Sequence, residues 1–314
     1  MKVFYSSKDF PKKINRTVVA LGNFDGVHLA HRAMFQITRR LAKKLKGKSV
    51  AYTFEPHPAK VLSKASQTLR INTLEQKLEL LKEQKLDAVV VEPFDKRFSA
   101  LGPEEWFQQI LMARLHAKGV VAGYDFTFGN KRSGTSELLH QLCERKGIHC
   151  EILSAQLNQG TLISSSQIRQ FVSMGRVDLA AQLLGRPFFI DGEVIQGFGR
   201  GAAIGIPTAN LKVLGELLPS QGVYACRAKL GRRTYRAVTN IGMNPTFGGE
   251  SLSVETHLLG FSKNIYGKKI RLFFMEKIRE EKAFASADAL VAQIHEDMDR
   301  AKKLLKRNSF ISLK

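Results

Sequence analysis

A glycine turn between an apolar run and a helical segment limits the fold of this chain more than any other feature. Residues 18–21 (VVAL) are typical of a buried strand, and residues 33–45 have the apolar spacing of a helix. The turn between them directs backbone N–H groups and the positive end of the helix dipole to one point, which favours a bound phosphate. His28 and His31, three residues apart at the predicted helix start, lie on one face and can donate to the same oxygens. The pattern predicts a nucleotide site, with a plain glycine turn as the alternative.

Short apolar runs alternate with helical segments over the first half of the chain. Runs at 50–54, 88–91 and 119–123 are typical of strands, and residues 74–81 and 106–115 have helical spacing. Strands that alternate with helices indicate βαβ units and a parallel sheet. Ligands bind such sheets beyond the carboxyl ends of the strands, so we expect motifs that follow the strands to converge on one crevice.

Two further motifs of this half contain a side chain that suits ligand binding. One has prolines around a histidine, and the other has serines before an arginine. The segment TFEPHP at 53–58 contains two prolines, which predicts a rigid loop that carries His57. A turn histidine that binds nothing is an equal alternative. The segment ISSSQIR at 163–169 predicts a helix start capped by serine, with the Arg169 guanidinium one turn later for a phosphate. On the residues alone, an ordinary N-cap explains this second motif.

A glycine-bounded loop at 123–129 carries two aromatic rings. Phe126 and Phe128 suit stacking against a flat heterocycle. Two core phenylalanines would have the same sequence pattern, so the residues alone leave both interpretations open.

The second half changes character near residues 185–187. Short alternating apolar segments separated by turn residues follow, at 190–195, 223–230, 235–241, 252–259 and 269–274. Even spacing of such segments predicts a closed or nearly closed antiparallel barrel. Residues 286–305 predict a terminal helix with Ser286 as its cap. The fold class is therefore α/β followed by a β-barrel with an appended helix.

Length and charge narrow the class of protein further. A chain of 314 residues exceeds the usual size of one core, so two domains are expected. The net charge of +21 raises the question of a nucleic-acid partner, but aromatic residues do not interleave with the cations as a single-strand surface needs. A solvated basic surface that attracts anionic substrates fits better. The sequence has neither an apolar run of membrane length nor a signal-peptide core, which predicts a cytoplasmic protein without a membrane partner.

The segment GNFDGVHLAH at 22–31 resembles the H-x-G-H signature of the nucleotidylyltransferases. Its FDGV portion is similar to that of the bacterial bifunctional riboflavin kinase/FMN adenylyltransferase (FAD synthetase) family. Ala30 stands where that family usually has glycine. The resemblance implies a Rossmann-like N-terminal domain at 1–186 that adenylylates FMN to FAD, and a riboflavin kinase barrel at 187–314.

The segment GIPTAN at 205–210 is similar to the G-F-P-T-A-N motif of the riboflavin kinase domain. By itself it reads as a turn after a strand, but other family segments follow it in order, at 222–225, 240–242, 245–247, 254–257, 265–267 and 278–279. Two positions depart from the family. Ala202 and Asn244 stand where the family has arginine. An adenylyltransferase with a weakened or inactive kinase barrel is therefore the alternative, and a basic nucleic-acid-binding module on a borrowed fold is a third hypothesis.

The resemblance also implies roles for individual residues. It implies catalytic roles for His28, His31 and Glu255, the last as the base that accepts the proton of the flavin 5′-hydroxyl. It implies contacts with ATP and its phosphates for Gly22, Asn23, Phe24, Asp25, Gly26, Ser164, Ser165, Arg169, Gly201, Thr208 and Asn210. It implies flavin contacts for His57, Asp125, Phe126, Phe128 and Gly129. Thr208 and Asn210 would hold Mg²⁺ with ATP. The small-molecule partners implied are riboflavin, ATP and FMN, with FMN and FAD as substrate and product.

Overall fold

The apolar run before the glycine turn forms a strand in the computed structural model of the chain, as the sequence predicts. The structure describes residues 1–62, 68–197, 205–244 and 251–307. It divides into two units, which are Met1–Thr68 with Leu74–Ile163, and Leu69–Thr73 with Ser164–Lys314. The predicted boundary at residue 186 separates the residues assigned to the adenylyltransferase from those assigned to the kinase, and it stays a prediction.

The first unit is built on a parallel sheet. Its six strands are β1 (Lys2–Phe4), β2 (Thr17–Leu21), β3 (Lys48–Glu55), β4 (Ala88–Pro93), β5 (Ala117–Gly123) and β6 (His149–Leu153). They lie in the order β1-β4-β3-β2-β5-β6, and each neighbouring pair is parallel. All five residues of the inner strand β2 are buried, as expected where both faces of a sheet are covered. The prediction of an α/β domain is confirmed.

Helices connect these strands. They are α1 (Leu29–Lys44), α2 (Pro58–Leu62), α3 (Leu74–Glu83), α4 (Pro103–Trp106), which continues into a π-helical segment at Phe107–Arg114, and α5 (Ser136–Arg145). The buried residues of α1 recur at helical spacing and form one apolar face, at Met34, Phe35, Thr38, Leu41 and Ala42. A two-stranded ribbon of β7 (Leu157–Asn158) and β8 (Thr161–Leu162) ends this unit.

The second unit is a closed barrel with added helices. Its strands are β9 (Phe188–Ile195), β10 (Ala209–Val213), β11 (Gly222–Leu230), β12 (Arg233–Asn244), β13 (Ser251–Leu258) and β14 (Lys269–Arg279). They close in the order β10-β13-β12-β11-β14-β9, and every neighbouring pair is antiparallel. The helices are α6 (Ser165–Ser173), α7 (Val177–Leu184) and α8 (Ala287–Arg307). The predicted barrel and terminal helix are confirmed.

One strand of the barrel was not predicted. Residues 209–213 form β10, so Asn210 lies in a strand that pairs with β9 and β13 and not in a turn. The segment is only five residues long and follows directly on Pro207 and Thr208, which are typical of a turn. Its alternation of apolar and polar residues is therefore too short to predict a strand. In the described part of the chain, no helix is long and apolar enough to cross a membrane.

Helix α8 is tied to the barrel by a buried ion pair. Arg279 at the end of β14 donates to both carboxylate oxygens of Asp297 on α8, with N···O distances of 2.8 to 3.0 Å. The side chains of Arg279 and Asp297 are 13% and 4% exposed. Ser286 caps the helix by accepting from the backbone N–H of Ala289 at 3.2 Å, as predicted.

Replacing Asp297 by alanine is expected to lower the free energy of unfolding by about 3–5 kcal/mol, because Arg279 would keep a buried charge without its partner. Urea unfolding followed by circular dichroism measures this change. Asp299→Ala is the matched control, because Asp299 lies on the same helix but is exposed. Equal unfolding midpoints for the two variants would contradict the prediction.

Candidate functional site

The two predicted histidines stack on each other at the start of α1. Their ring centroids are 3.5 Å apart and their planes differ by 17°. The backbone N–H of His31 donates to Nδ1 of His28 at 3.4 Å, so His28 is the N-cap of the helix. In the neutral His28 ring, the proton is therefore on Nε2, which is a hydrogen-bond donor. The predicted arrangement of both rings at one helix N-terminus is present.

The turn before α1 has a strained backbone. Phe24, Gly26 and Val27 have φ angles of 51°, 84° and 42°. This left-handed region suits glycine, and a β-branched residue rarely adopts it. Val27 and Asp25 are buried. Strain of this kind persists where the surrounding structure fixes the backbone, and it is frequent at ligand sites.

The side chain of Phe24 supports the turn from inside. Its ring is fully buried, lies 4.7 Å from the ring of Phe35 and meets the His31 ring edge-on at 5.2 Å. A Cβ atom at Gly22 would come within 2.8 Å of the Phe24 ring, so this position requires glycine. Because the ring of Phe24 is buried, the predicted phosphate contact of this residue is assigned to its backbone N–H.

A buried lysine that the motifs did not predict joins the turn to strand β3. Nζ of Lys77 on α3 donates to the carbonyl oxygen of Asn23 at 3.4 Å and to Oγ1 of Thr53 at 3.2 Å. It also donates to the carbonyl oxygen of Phe54 at 3.3 Å, and the Thr53 hydroxyl donates to the same Asn23 oxygen at 2.9 Å. The sequence did contain a signal, because helical spacing places Lys77 on the apolar face of α3 with Leu80 and Leu81.

His31 is held in its neutral form by its surroundings. Burial is the largest cause that keeps the pKa of His31 well below its ordinary value of 6.5, and the charge of Lys77, as well as that of His28 whenever its ring is protonated, acts in the same direction. Nδ1 of His31 is buried and has no hydrogen-bond partner among the described residues. A neutral ring at this position can donate or accept one hydrogen bond without adding a full charge.

The low pKa of His31 predicts a loss of stability in acid. The unfolded chain takes up a proton below pH 6.5 and the folded chain resists it, so stability is present above pH 6.5 and falls as the pH drops toward the folded pKa. We expect His31→Gln to flatten the decline of Tm between pH 7.5 and pH 5, measured without ligands. His140→Gln, at an exposed position, is the control. An unchanged slope for His31→Gln would refute this assignment.

The loop around His57 is shorter than predicted. Strand β3 extends to Glu55 and helix α2 begins at Pro58, so only residues 56–57 connect them. Nδ1 of His57 accepts from the backbone N–H of Ala59 at 3.2 Å, which supports the first turn of α2. The half-buried ring thus has a structural role, and its flavin contact stays a prediction.

The two aromatic residues of the glycine-bounded loop differ in burial. Phe128 is buried, with its ring centroid 5.0 Å from that of Trp106. The ring of Phe126 stacks on that of Phe128, with centroids 5.8 Å apart and planes that differ by 15°. Phe128 belongs to the core cluster of buried residues, and the more exposed Phe126 packs against that cluster. The flavin contacts of Asp125, Phe126, Phe128 and Gly129 stay predictions.

The predicted serine and arginine motif begins helix α6. Oγ of Ser164 accepts from the backbone N–H of Gln167 at 3.2 Å, and Ser165 is the first helical residue. Nε of Arg169 donates to the carbonyl oxygen of Leu69 at 2.8 Å. The guanidinium is therefore anchored at one edge, and the predicted phosphate contacts of these residues stay predictions.

On the barrel, Glu255 lies between two asparagines in register. It is the cross-strand partner of Asn210 on β10 and of Asn240 on β12. Its neighbours Val254 and Thr256 are buried, whereas Glu255 is half-buried, so alternation turns it to the outer face. Directly paired residues on one face lie close enough to act on one ligand. Asn240 was not predicted as a site residue, although its segment was part of the resemblance.

The turn that precedes β10 is held by a histidine. Nδ1 of His257 on β13 lies 2.8 Å from the carbonyl oxygen of Pro207. Thr208, half-buried, follows directly and leads into Asn210. Gly201 and Ala202 lie outside the described residues, as does the side chain of Asn244.

Two sequence families match this chain, one in each half. The FAD synthetase family model matches residues 10–167, and the riboflavin kinase family model matches residues 184–305. The bifunctional riboflavin kinase/FMN adenylyltransferase of Escherichia coli K12 is 36% identical over 281 residues, which cover 89% of this chain and 90% of that protein. The protein of the same name from Bacillus subtilis 168 is 36% identical over 292 residues, with 91% and 92% covered.

This chain belongs to the bifunctional riboflavin kinase/FMN adenylyltransferase family. A solved structure described as a macrolide-efflux protein from Streptococcus pneumoniae has a TM-score of 0.88 and 31% identity, and the match covers 96% of this chain and 98% of that one. Its description differs from the name of the enzymes. Membership in a bifunctional kinase and adenylyltransferase family makes this chain an enzyme of two transferase reactions.

Proposed function

We propose that this chain phosphorylates riboflavin to FMN in residues 187–314 and adenylylates FMN to FAD in residues 1–186. The observation that carries the proposal is that each half keeps its own group for phosphate chemistry. The first half has the stacked rings of His28 and His31 at a helix N-terminus. The second half has Glu255 in register with Asn210.

Adenylyl transfer needs no nucleophile from the protein. A phosphate oxygen of FMN attacks the α-phosphorus of ATP, and the bond to pyrophosphate breaks. The chain positions the two phosphates and offsets their charge. We assign this role to His28 and His31 together with the backbone N–H groups of residues 22–26. Ser164, Ser165 and Arg169 bind the remaining phosphates of ATP, and the loop at 123–129 with His57 binds the flavin.

In the kinase reaction, the 5′-hydroxyl of riboflavin attacks the γ-phosphorus of ATP. Glu255 accepts the hydroxyl proton as the new P–O bond forms, and ADP leaves. The half-buried position of Glu255 suits this role, because the carboxylate is both accessible and held by a strand.

Magnesium enters this proposal with ATP. The hydroxyl of Thr208 and the amide oxygen of Asn210 are hard oxygen donors of the kind that Mg²⁺ prefers, and Asn210 is paired with a carboxylate residue. When bound, the ion neutralises phosphate charge. In the described ranges, no three His, Cys, Asp or Glu residues form a separate metal cluster. We further propose that the enzyme acts in the cytoplasm.

Incubation of the purified chain with riboflavin, ATP and Mg²⁺, followed by chromatography of the flavins, tests the proposal. We expect both FMN and FAD. FAD from supplied FMN, but no FMN from riboflavin, would mean that the kinase barrel is inactive, as the departures at Ala202 and Asn244 suggested. Neither product, together with tight salt-dependent nucleic-acid binding, would favour a binding module instead.

A further inference from the structure

Lys77 is a buried cation to which the two proposed reactions assign no role. The residue is 8% exposed and lies at the end of the first turn of α3. A cation there is opposed by desolvation and by the positive end of the helix dipole. A methionine or leucine would fill the same apolar face of α3 without these costs. The position of the charge therefore calls for an explanation beyond packing.

Three hydrogen bonds of Lys77 lie on one piece of the proposed adenylyl site. Its ammonium group reaches the carbonyl oxygen of Asn23 in the glycine turn, and the hydroxyl of Thr53 and the carbonyl oxygen of Phe54 at the end of β3. Thr53 is fully buried and donates to the same Asn23 oxygen. Two donors thus converge on one carbonyl and fix the direction of the peptide that begins the turn.

We propose that Lys77 is a positioning residue for adenylyl transfer, which holds the Asn23 carbonyl so that the N–H groups of the turn face the phosphates. The proposal rests on the proposed function. The turn before α1 needs such a support, because Phe24 and Val27 have left-handed φ angles that relax when the turn is released. The charge of Lys77 also opposes protonation of His31, in addition to the larger effects of burial and of His28.

The test compares Lys77→Met with the parent chain in two assays on the same molecule. Methionine keeps the length and the apolar stem but donates no hydrogen bond. We expect kcat for FAD formation from supplied FMN to fall at least tenfold, with KM for ATP changed less than threefold, because misplaced donors act on the transition state. Conversion of riboflavin to FMN should stay within twofold, which shows that the chain is folded. Lys82→Met, exposed on the same helix, should leave both rates unchanged.

Thr53→Val provides a second and independent variant. Valine has the shape of threonine but lacks the hydroxyl between Lys77 and the Asn23 oxygen. We expect a fall of at least fivefold in kcat for FAD formation. In the double variant, the loss should be within twofold of that of Lys77→Met alone, because both changes release the same carbonyl.

Three results would overturn the proposal. One is a Lys77→Met variant that forms FAD within twofold of the parent rate. Another is independent effects that multiply in the double variant. Should Lys77→Met fail to fold, a parent-like rate in Thr53→Val would have the same force. A parent chain that makes no FAD from FMN would instead overturn the proposed function itself.

Discussion

Replacement of His28 or His31 by alanine is expected to lower the rate of FAD formation from supplied FMN by about 10² to 10³-fold. In the proposed reaction each ring donates to charge that develops on the phosphates, and loss of one such donor typically has an effect of that size. Conversion of riboflavin to FMN should continue, so FMN should accumulate without FAD. Chromatography of the flavins over time measures both steps in one experiment.

The design must separate catalysis from capping, because His28 also accepts from the backbone N–H of His31. His28→Asn keeps an N-cap acceptor but removes the ring. We expect it to restore the melting temperature that His28→Ala lowers and to leave FAD formation as slow. Recovery of the parent rate in His28→Asn would mean that His28 acts only as a cap. Parent rates in both alanine variants would show that the motif is not the adenylyl site.

Local spacing predicted those parts of the molecule in which one element contains its own signal. The run at 18–21 became the inner strand β2, and the helix predicted at 33–45 became α1. Helix α1 begins at Leu29, so His28 and His31 lie at its start as predicted, ahead of the apolar spacing that begins at residue 33. Histidine is not among the preferred capping residues, so the use of its ring nitrogen as the cap could not be predicted from propensity.

Other features depend on contacts between distant segments and could not be read from spacing. Strand β10 is five residues long and is defined by its pairing with β9 and β13. Phe128 is more deeply buried than Phe126, and its ring lies closer to Trp106, some twenty residues away in sequence, with centroids 5.0 Å apart against 6.5 Å. Lys77 could be placed on the apolar face of a helix, but its partners at Asn23 and Thr53 belong to two other elements. Sequence periodicity predicts on which face of a helix or strand a residue lies, but it does not predict which residues of other elements it contacts.

Replacement of Glu255 by glutamine is expected to lower the rate of FMN formation from riboflavin by about 10²-fold or more. Glutamine keeps the size of the side chain but cannot take the proton of the 5′-hydroxyl. The strand should be unaffected, because Glu255 is half-buried on the outer face of the barrel and its backbone pairing with Asn210 and Asn240 does not depend on the carboxylate. FAD formation from supplied FMN should stay near the parent rate.

The matched control for this variant is Glu193→Gln. Glu193 is a half-buried carboxylate on β9 that pairs with Lys212 and Lys269, outside the proposed site. Its replacement removes the same charge from the same barrel and should leave both reactions unchanged. Steady-state rates of FMN formation at saturating ATP and riboflavin decide the matter, because a lost base lowers kcat and a weakened binding contact raises KM. If Glu255→Gln keeps the parent kcat, another group accepts the proton of the 5′-hydroxyl, and the role that the family resemblance implies for this position is wrong.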